Sequence, residues 1–231
     1  MSAVPDTIAG RAAAILERID AAARAAGGGP VRLVAVSKLH PAAAIEAALA
    51  AGLTDFGENY AQELEAKRAA ITDARVRWHM IGPVQSNKAK RVVGCALVQT
   101  LDRPSLLTAL DRRAREANVV QAVLVQVNVA GEAGKSGVSP AELPALLDGV
   151  AACEALRCAG LMLIPEMGPP EALRRQFRAL RRLRDAEAAT SRPRVELHEL
   201  SMGMSDDFEL AIAEGATLVR IGTAIFGARA P

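Results

Sequence analysis

The sequence has few of the residues on which disulfide, metal and nucleic-acid sites depend. Only three of its 231 residues are cysteine and three are histidine, and neither set has the spacing of a metal site or a disulfide framework. Aromatic residues make up 3% of the chain, too few for an interleaved aromatic platform that would stack nucleic-acid bases. We therefore expect no metal ion and no nucleic-acid partner.

Strong net charge and long apolar runs are also missing. The formal net charge is +2, so electrostatic attraction to an anionic membrane is weak. An arginine-rich segment at 174–184 is interpreted as a solvated helix face, because the rest of the chain balances its charge. No stretch approaches the roughly 18 apolar residues of a spanning helix, and no secretory leader is recognisable. We expect a cytoplasmic protein without membrane contact.

Short apolar segments alternate with helical patterns along the chain. Strands are predicted at 31–36, 54–56, 76–81, 96–100, 122–127, 156–162, 195–200 and 217–221. Helices are predicted between them at 41–51, 60–71, 87–93, 104–117, from about 140, and at 170–190 and 206–214, with an extra helix at 7–26 before the first strand. This alternation predicts the α/β class and a parallel sheet, which eight units close most naturally as a (β/α)8 TIM barrel. A doubly wound open sheet is the alternative. No internal linker is evident, so we expect one domain over residues 1–231.

Lys38 is the foremost candidate for reactive chemistry. It directly follows the first predicted strand, at the strand end where TIM barrels carry their active sites. We expect its amine to project, partly desolvated, into the barrel mouth, where a lysine can form a Schiff base with a carbonyl compound. For a lysine considered alone, a surface position at the end of a strand is the alternative.

The loops after the seventh and eighth strands are typical of phosphate binding. The first, 201–207, begins with Ser201 and contains Gly203; the second contains Gly222 and Thr223. TIM barrels commonly bind phosphate at these two loops, using backbone N–H groups at a short helix. Ordinary helix capping favours the same residue types, but together with Lys38 the loops form a candidate site.

Three further polar residues are candidates for the same mouth. Arg220 ends the eighth strand, where its guanidinium is placed to meet a pyridine nitrogen; an ion pair with a barrel carboxylate is the alternative. Asn59 follows the second strand and is a candidate partner of a ring hydroxyl. His79 lies within the third strand and reaches the mouth in only one strand register.

Five segments resemble a known family almost from end to end. They are AVSKLHP at 35–41, FGENYAQE at 56–63, WHMIGPVQSNKAK at 78–90, QVNVAGEAGKSG at 126–137 and LSMGMSDDFELAIAEGATLVRIGTAIFGAR at 200–229. With them the chain closely resembles the YggS/PROSC-type pyridoxal phosphate (PLP) homeostasis proteins. That resemblance implies the barrel of alanine racemase, known as PLP fold type III.

The resemblance also implies a role for each candidate residue. Lys38 is expected to carry PLP as an internal aldimine, and Arg220 is expected to face the pyridine nitrogen. Phosphate binding is expected from Ser201, Gly222 and Thr223, with Asn59 and His79 near the ring. The sequence departs from common family residues at Gly134 and Gln99, and neither departure is expected to touch the cofactor positions.

The resemblance favours a PLP carrier over an enzyme. Racemisation needs a base on each face of the substrate, and in the racemases the second base is a tyrosine of a separate domain. The only tyrosine here is Tyr60, in the second unit. We expect a non-catalytic, monomeric protein of vitamin B6 homeostasis that passes PLP to apo forms of PLP-dependent enzymes. An amino-acid racemase is the first alternative, and a barrel aldolase that uses Lys38 on a sugar phosphate is the second.

Overall fold

A computed structural model describes residues 7–131 and 134–227 of the chain. Short parts of the segments at 126–137 and 200–229, namely 132–133 and 228–229, lie outside the described residues, as do the two ends of the predicted domain at 1–6 and 230–231.

Eight parallel strands close into a barrel in chain order. Strands β1 to β8 are Arg32–Val36, Asp55–Glu58, Arg77–Met80, Leu97–Leu101, Gln121–Gln126, Leu156–Met162, Val195–Ser201 and Leu218–Ile221. The barrel is closed by β1 and β8, which pair from Arg32 opposite Leu218 to Ala35 opposite Ile221. The predicted TIM barrel is confirmed, and the open-sheet alternative is wrong.

Helices surround the barrel at the predicted places. Helices α1 to α9 are Ile8–Ala25, Ala42–Ala50, Ala61–Ala70, Ala89–Val92, Pro104–Glu116, Leu143–Ala151, Pro170–Ala188, Phe208–Ala213 and Thr223–Phe226, and a 3-10 turn at Ser86–Lys88 precedes α4. The extra helix α1 starts at a cap, because the Thr7 hydroxyl accepts a hydrogen bond from the Gly10 N–H at 3.1 Å. It packs on α9, where Arg11 Nε donates to the Ile225 carbonyl at 2.7 Å. Helix α1 therefore helps to fix the last turn of the barrel.

Side chains that point alternately to the two faces of the strands form two separate apolar cores. Val123 and Val125 of β5 belong to the large core between strands and helices, whereas Ala122 and Leu124 belong to a second, smaller cluster. That cluster is completed by Leu97, Ala159 and Met162. Because successive strand residues point to opposite faces, the smaller cluster lies inside the barrel.

Part of the basic face of helix α7 forms ion pairs with the end of α8. Guanidinium nitrogens of Arg174, Arg178 and Arg181 lie 3.7, 2.8 and 3.7 Å from carboxylate oxygens of Glu214, whose side chain is only 5% exposed. These three arginines tie α7 to the end of α8, whereas Arg175 and Arg182 of the same helix are exposed. Within the described ranges, no helix has both the length and the hydropathy needed to cross a membrane.

Candidate functional site

A cavity of about 150 Å³ opens at the carboxyl ends of β1 and β8. It is lined by Val36, Lys38, His40, Met204, Ser205, Arg220, Gly222 and Thr223. Four residues predicted separately, Lys38, Arg220, Gly222 and Thr223, therefore meet at one place. The lining offers an amine, a guanidinium and two hydroxyl groups, and no carboxylate among the described residues belongs to it. This donor set suits a phosphate ester that also carries an aldehyde.

Gly222 lets the start of α9 lie against β1. A Cβ atom at this position would come within 3.2 Å of both Cβ and the carbonyl oxygen of Val36. The Gly222 carbonyl in turn accepts from the N–H groups of Ile225 and Phe226 at 2.8 and 3.0 Å. A side chain at position 222 would thus push the first turn of α9 away from the cavity.

His40 is a lining residue that the sequence reasoning missed. Its ring stacks on Phe226 of α9, with centroids 5.0 Å apart and planes inclined by 29°. The contact ties the turn that carries Lys38 to the helix that begins at Thr223. The only sequence signal was its place two residues after Lys38, because the stacking partner lies at the far end of the chain.

The turn that carries Lys38 is held by a buried ionic cluster, which we call the outer cluster: Ser37, Glu58, Glu63 and Lys67. Lys67 Nζ donates to Glu58 Oε1 at 2.8 Å, to Glu63 Oε1 at 2.7 Å and to the Ser37 carbonyl at 2.7 Å. The Ser37 hydroxyl also donates to Glu58 Oε1, at 2.6 Å. Burial raises the pKa of Glu58 above its ordinary value, although Lys67 and Ser37 oppose the shift.

The outer cluster fixes the backbone on both sides of Lys38. Ser37 precedes it, and Leu39, which follows it, donates its N–H to Glu63 Oε1 at 2.6 Å. Leu39 has a φ of +63°, a left-handed conformation that is costly for a leucine. The hydrogen bond to Glu63 stabilises this conformation and with it the exit of the Lys38 side chain toward the cavity.

Arg220 ends a second buried assembly, which we call the inner chain: Arg220, Ser201, Gln99, His79 and Asp55. Successive links are Arg220 Nη1 to Ser201 Oγ at 2.7 Å, Ser201 Oγ to Gln99 Oε1 at 2.6 Å, Gln99 Nε2 to His79 Nδ1 at 3.0 Å and His79 Nε2 to Asp55 Oδ1 at 2.8 Å. Ser201 thus contacts Arg220 and is not among the residues that line the cavity. The expectation that Gln99 touches no predicted cofactor position is wrong, because its carboxamide binds Ser201.

Burial sets the protonation of the inner chain. It lowers the pKa of Arg220 to about 10 and lowers the pKa of His79 below its ordinary value despite the nearby Asp55 carboxylate. For Asp55 burial alone would raise the pKa, but the hydrogen bond and charge of His79, with help from Arg77, lower it. At neutral pH the chain therefore runs from a cation through a neutral imidazole to an anion.

Asn59 lies beside a different cavity. That cavity, of about 460 Å³, is lined by Asn59, Tyr60, Ala61, Gln62, Pro83, Gln85 and Lys88. Gly82 allows the two loops to meet there, since a Cβ atom at Gly82 would lie 2.2 Å from the Asn59 carbonyl oxygen.

Across residues 7–131 and 134–227, no group of three His, Cys, Asp or Glu side chains is arranged to hold a metal ion.

Comparison with known proteins identifies the family. The model of the alanine racemase N-terminal domain matches residues 11–230. The chain is 48% identical over 226 residues to the pyridoxal phosphate homeostasis protein of Pseudomonas aeruginosa, covering 96% of each chain. It is 44% identical over 229 residues to that of Escherichia coli K12, covering 96% of this chain and 97% of the other. The chain belongs to the pyridoxal phosphate homeostasis protein family.

A solved structure of similar sequence supports the family assignment. PipY of Synechococcus elongatus, solved with PLP bound, is 38% identical, with a TM-score of 0.84 over 96% of this chain and all of PipY. Its structure without PLP gives a TM-score of 0.86. The resemblance recognised in the five sequence segments is thereby confirmed.

Proposed function

We propose that this chain binds PLP covalently at Lys38 and serves the intracellular homeostasis of PLP, the active form of vitamin B6. The observation that carries the proposal is the convergence of Lys38, Arg220, Gly222 and Thr223 on one cavity, which has no acidic lining residue in the described part of the chain. The names of the relatives and the PLP-bound PipY structure support it.

Each lining residue has a role in this proposal. The amine of Lys38 condenses with the aldehyde of PLP and releases one water, so that the cofactor is held by an imine bond that water or another amine can reverse. Thr223, Ser205 and the backbone at Gly222 hold the phosphate. The guanidinium of Arg220 meets the pyridine nitrogen, and because it is a donor, it leaves that nitrogen without a proton and weakens PLP as an electron sink.

The remaining predicted residues have supporting roles. Ser201 holds Arg220 rather than the phosphate, through the 2.7 Å hydrogen bond to Nη1. His79 acts on the site through Gln99 and Ser201. Asn59 follows β2 and lines the separate cavity that it shares with Tyr60, so this proposal assigns it no direct contact with the ring.

We further propose that the protein is a carrier and not a racemase. Racemisation requires proton transfer at both faces of the substrate carbon. Among the described residues that line the cavity, His40 is the one base other than Lys38, since Arg220 stays protonated. His40 belongs to the same turn as Lys38 and stacks on Phe226. Tyr60 is 54% exposed beside the other cavity. In this proposal a cytoplasmic monomer transfers PLP to apo enzymes.

Spectroscopy and a transfer assay test the proposal. The apo protein is titrated with PLP and compared with Lys38→Ala and with Lys90→Ala, an exposed lysine of α4. We expect a visible imine absorbance band in the wild type and in Lys90→Ala but none in Lys38→Ala, and reactivation of an added PLP-free aminotransferase by the loaded protein. Absence of the band from the wild type would refute PLP binding at Lys38. Lys38-dependent exchange and inversion at the α-carbon of an amino acid would instead support the racemase.

A further inference from the structure

We propose that Gln99, His79 and Asp55 are positioning residues that hold the Arg220 guanidinium at the cavity through one continuous, oriented chain of hydrogen bonds. This inference rests on the proposed function in one respect, namely that Arg220 contacts the bound cofactor. The chain itself is a property of the protein alone.

The inner chain crosses the inside of the barrel. Gln99 lies on β4 and Ser201 at the end of β7, strands that are not neighbours in the sheet, yet their side chains are 2.6 Å apart. The bond therefore crosses the barrel interior and joins strands that are three positions apart in the sheet. Because Gln99 and Ser201 are both fully buried, no solvent competes for this link, and each lost partner would leave a buried polar atom unsatisfied.

The chemistry of the two ends determines the direction of every link. A guanidinium only donates, so Ser201 Oγ accepts from Arg220 and donates its own hydrogen to Gln99 Oε1. The Gln99 amide group then donates to His79 Nδ1. At the other end an ionised carboxylate only accepts, so His79 donates from Nε2 to Asp55 and leaves Nδ1 as an acceptor. Both ends thus require the same orientation of the Gln99 carboxamide.

The reversed orientation conflicts with a neutral His79, whose pKa is lowered by burial. A flipped Gln99 carboxamide would present its oxygen to His79 Nδ1, which would then need to carry the hydrogen. In the neutral imidazole, Nε2 would lose its hydrogen and face Asp55 Oδ1 at 2.8 Å as one acceptor against another. Gln99 is therefore the residue through which the donor and acceptor roles set at Asp55 match those set at Arg220.

Arg220 depends on this chain for its orientation, because its hydrogen-bond partners among the described residues are uncharged and the carboxylate of Asp207 acts on it only through its charge. Nη1 donates to Ser201 Oγ and Nη2 to the Leu163 carbonyl, at 2.7 and 2.9 Å. With two fixed acceptors, the guanidinium plane has a single orientation at the cavity. Removal of the Gln99 carboxamide frees the Ser201 side chain to rotate about its Cα–Cβ bond. The position of Ser201 Oγ, which accepts from Arg220, is then no longer defined.

The test compares three variants with the wild type. Gln99→Leu removes both links of the carboxamide. Gln99→His retains one donor and one acceptor, because a neutral imidazole has one of each. Gln121→Leu is the control, since Gln121 is equally buried but binds backbone groups of Gly94, Cys95 and Ala122, remote from the chain.

Two measurements are made on each variant. In the apo protein, nitrogen-15 NMR reports which ring nitrogen of His79 carries the hydrogen; we expect Nε2 in the wild type and a shift of the Nδ1 resonance in Gln99→Leu only. In the PLP-loaded protein, circular dichroism of the cofactor band and the rate of PLP release report the orientation of Arg220. We expect an altered band and release about 10-fold faster in Gln99→Leu, the effect of one lost charge-assisted hydrogen bond, with recovery in Gln99→His.

The outcomes separate this inference from the proposed function. If wild-type His79 carries its hydrogen on Nδ1, or if Gln99→Leu and Gln121→Leu change the dichroism and the release rate equally, the positioning role is refuted while PLP binding stands. If the wild type takes up no PLP at Lys38, the proposed function fails, and the NMR measurement still decides whether the oriented chain exists.

Discussion

The outer cluster and the inner chain are both largely buried, and each supports a residue that lines the cavity, yet they are built differently. The outer cluster gathers two carboxylates around the single cation Lys67, and within the described residues Glu58 Oε2 and Glu63 Oε2 accept no hydrogen bond. In the inner chain every link has a donor and an acceptor, and its two charges, on Arg220 and Asp55, lie at opposite ends.

The difference reflects what each assembly holds. The outer cluster holds backbone, namely the turn around Lys38, and several acceptors on one ammonium group suit that task because an ammonium donates in any direction. The inner chain holds one side chain, Arg220, and needs links of defined direction. The outer cluster should therefore govern mainly stability, and the inner chain mainly the geometry of the site.

The largest effect is expected from Lys67→Met. The substitution leaves Glu58, which is fully buried, without a cation, and breaking a buried ion pair in this way costs about 3–5 kcal/mol. Urea denaturation of the apo protein measures the loss, with Lys90→Met as the exposed control. A second substitution, Glu58→Gln, should recover part of the loss because it removes the unpaired charge. A loss below about 1 kcal/mol in Lys67→Met would show that the outer cluster does not hold the turn.

A smaller effect is expected from Ser201→Ala in the inner chain. It removes the acceptor of Arg220 Nη1 and the donor to Gln99 Oε1, and leaving such buried groups unsatisfied costs about 1–3 kcal/mol. Ser105→Ala, on the exposed side of α5, should be nearly neutral. Unlike Lys67→Met, Ser201→Ala should alter the circular dichroism of bound PLP by more than its loss of stability accounts for. An unchanged spectrum would contradict the distinction between the two assemblies.

The smallest effect is a pH dependence of opposite sign in the two assemblies. Burial lowers the pKa of His79 below 6.5, so the unfolded chain takes up a proton first and the free energy of unfolding falls as the pH drops below about 6.5. Burial raises the pKa of Glu58 above 4.5, so its contribution is present at low pH and is lost as the pH rises through the folded-state pKa.

Variants separate the two contributions. His79→Asn should flatten the fall in the free energy of unfolding that occurs as the pH drops below about 6.5. Glu58→Gln should remove the loss of stability that occurs as the pH rises through the folded-state pKa of Glu58. Thermal denaturation at several pH values measures both, and equal slopes in the wild type and His79→Asn would contradict a neutral, buried His79.

The barrel could be predicted from the sequence because the patterns that mark its strands and helices are local. Each strand is a short apolar run and each helix a periodic one, so eight β/α units are visible without any long-range contact. Lys38, Arg220, Gly222 and Thr223 were found for the same reason, since residues at the carboxyl ends of parallel strands meet at one end of a closed barrel.

The assemblies behind the site were not predictable in this way. Lys67 follows Glu63 by four residues and looks like an ordinary exposed helix pair, yet its side chain is 9% exposed. Gln99 meets Ser201 only because closure of the barrel lets side chains of β4 and β7 meet in its interior, across 102 residues of sequence. Strand periodicity marks a residue as inward-facing but does not tell which inward-facing residue it meets.

The most direct test of the account is to reduce the PLP-loaded protein with borohydride and map the modified residue by mass spectrometry. We predict a single phosphopyridoxyl group on Lys38 and no adduct in Lys38→Ala under the same conditions. An adduct that forms on another lysine, or that persists in Lys38→Ala, would contradict the assignment of the cavity at β1 and β8 as the cofactor site.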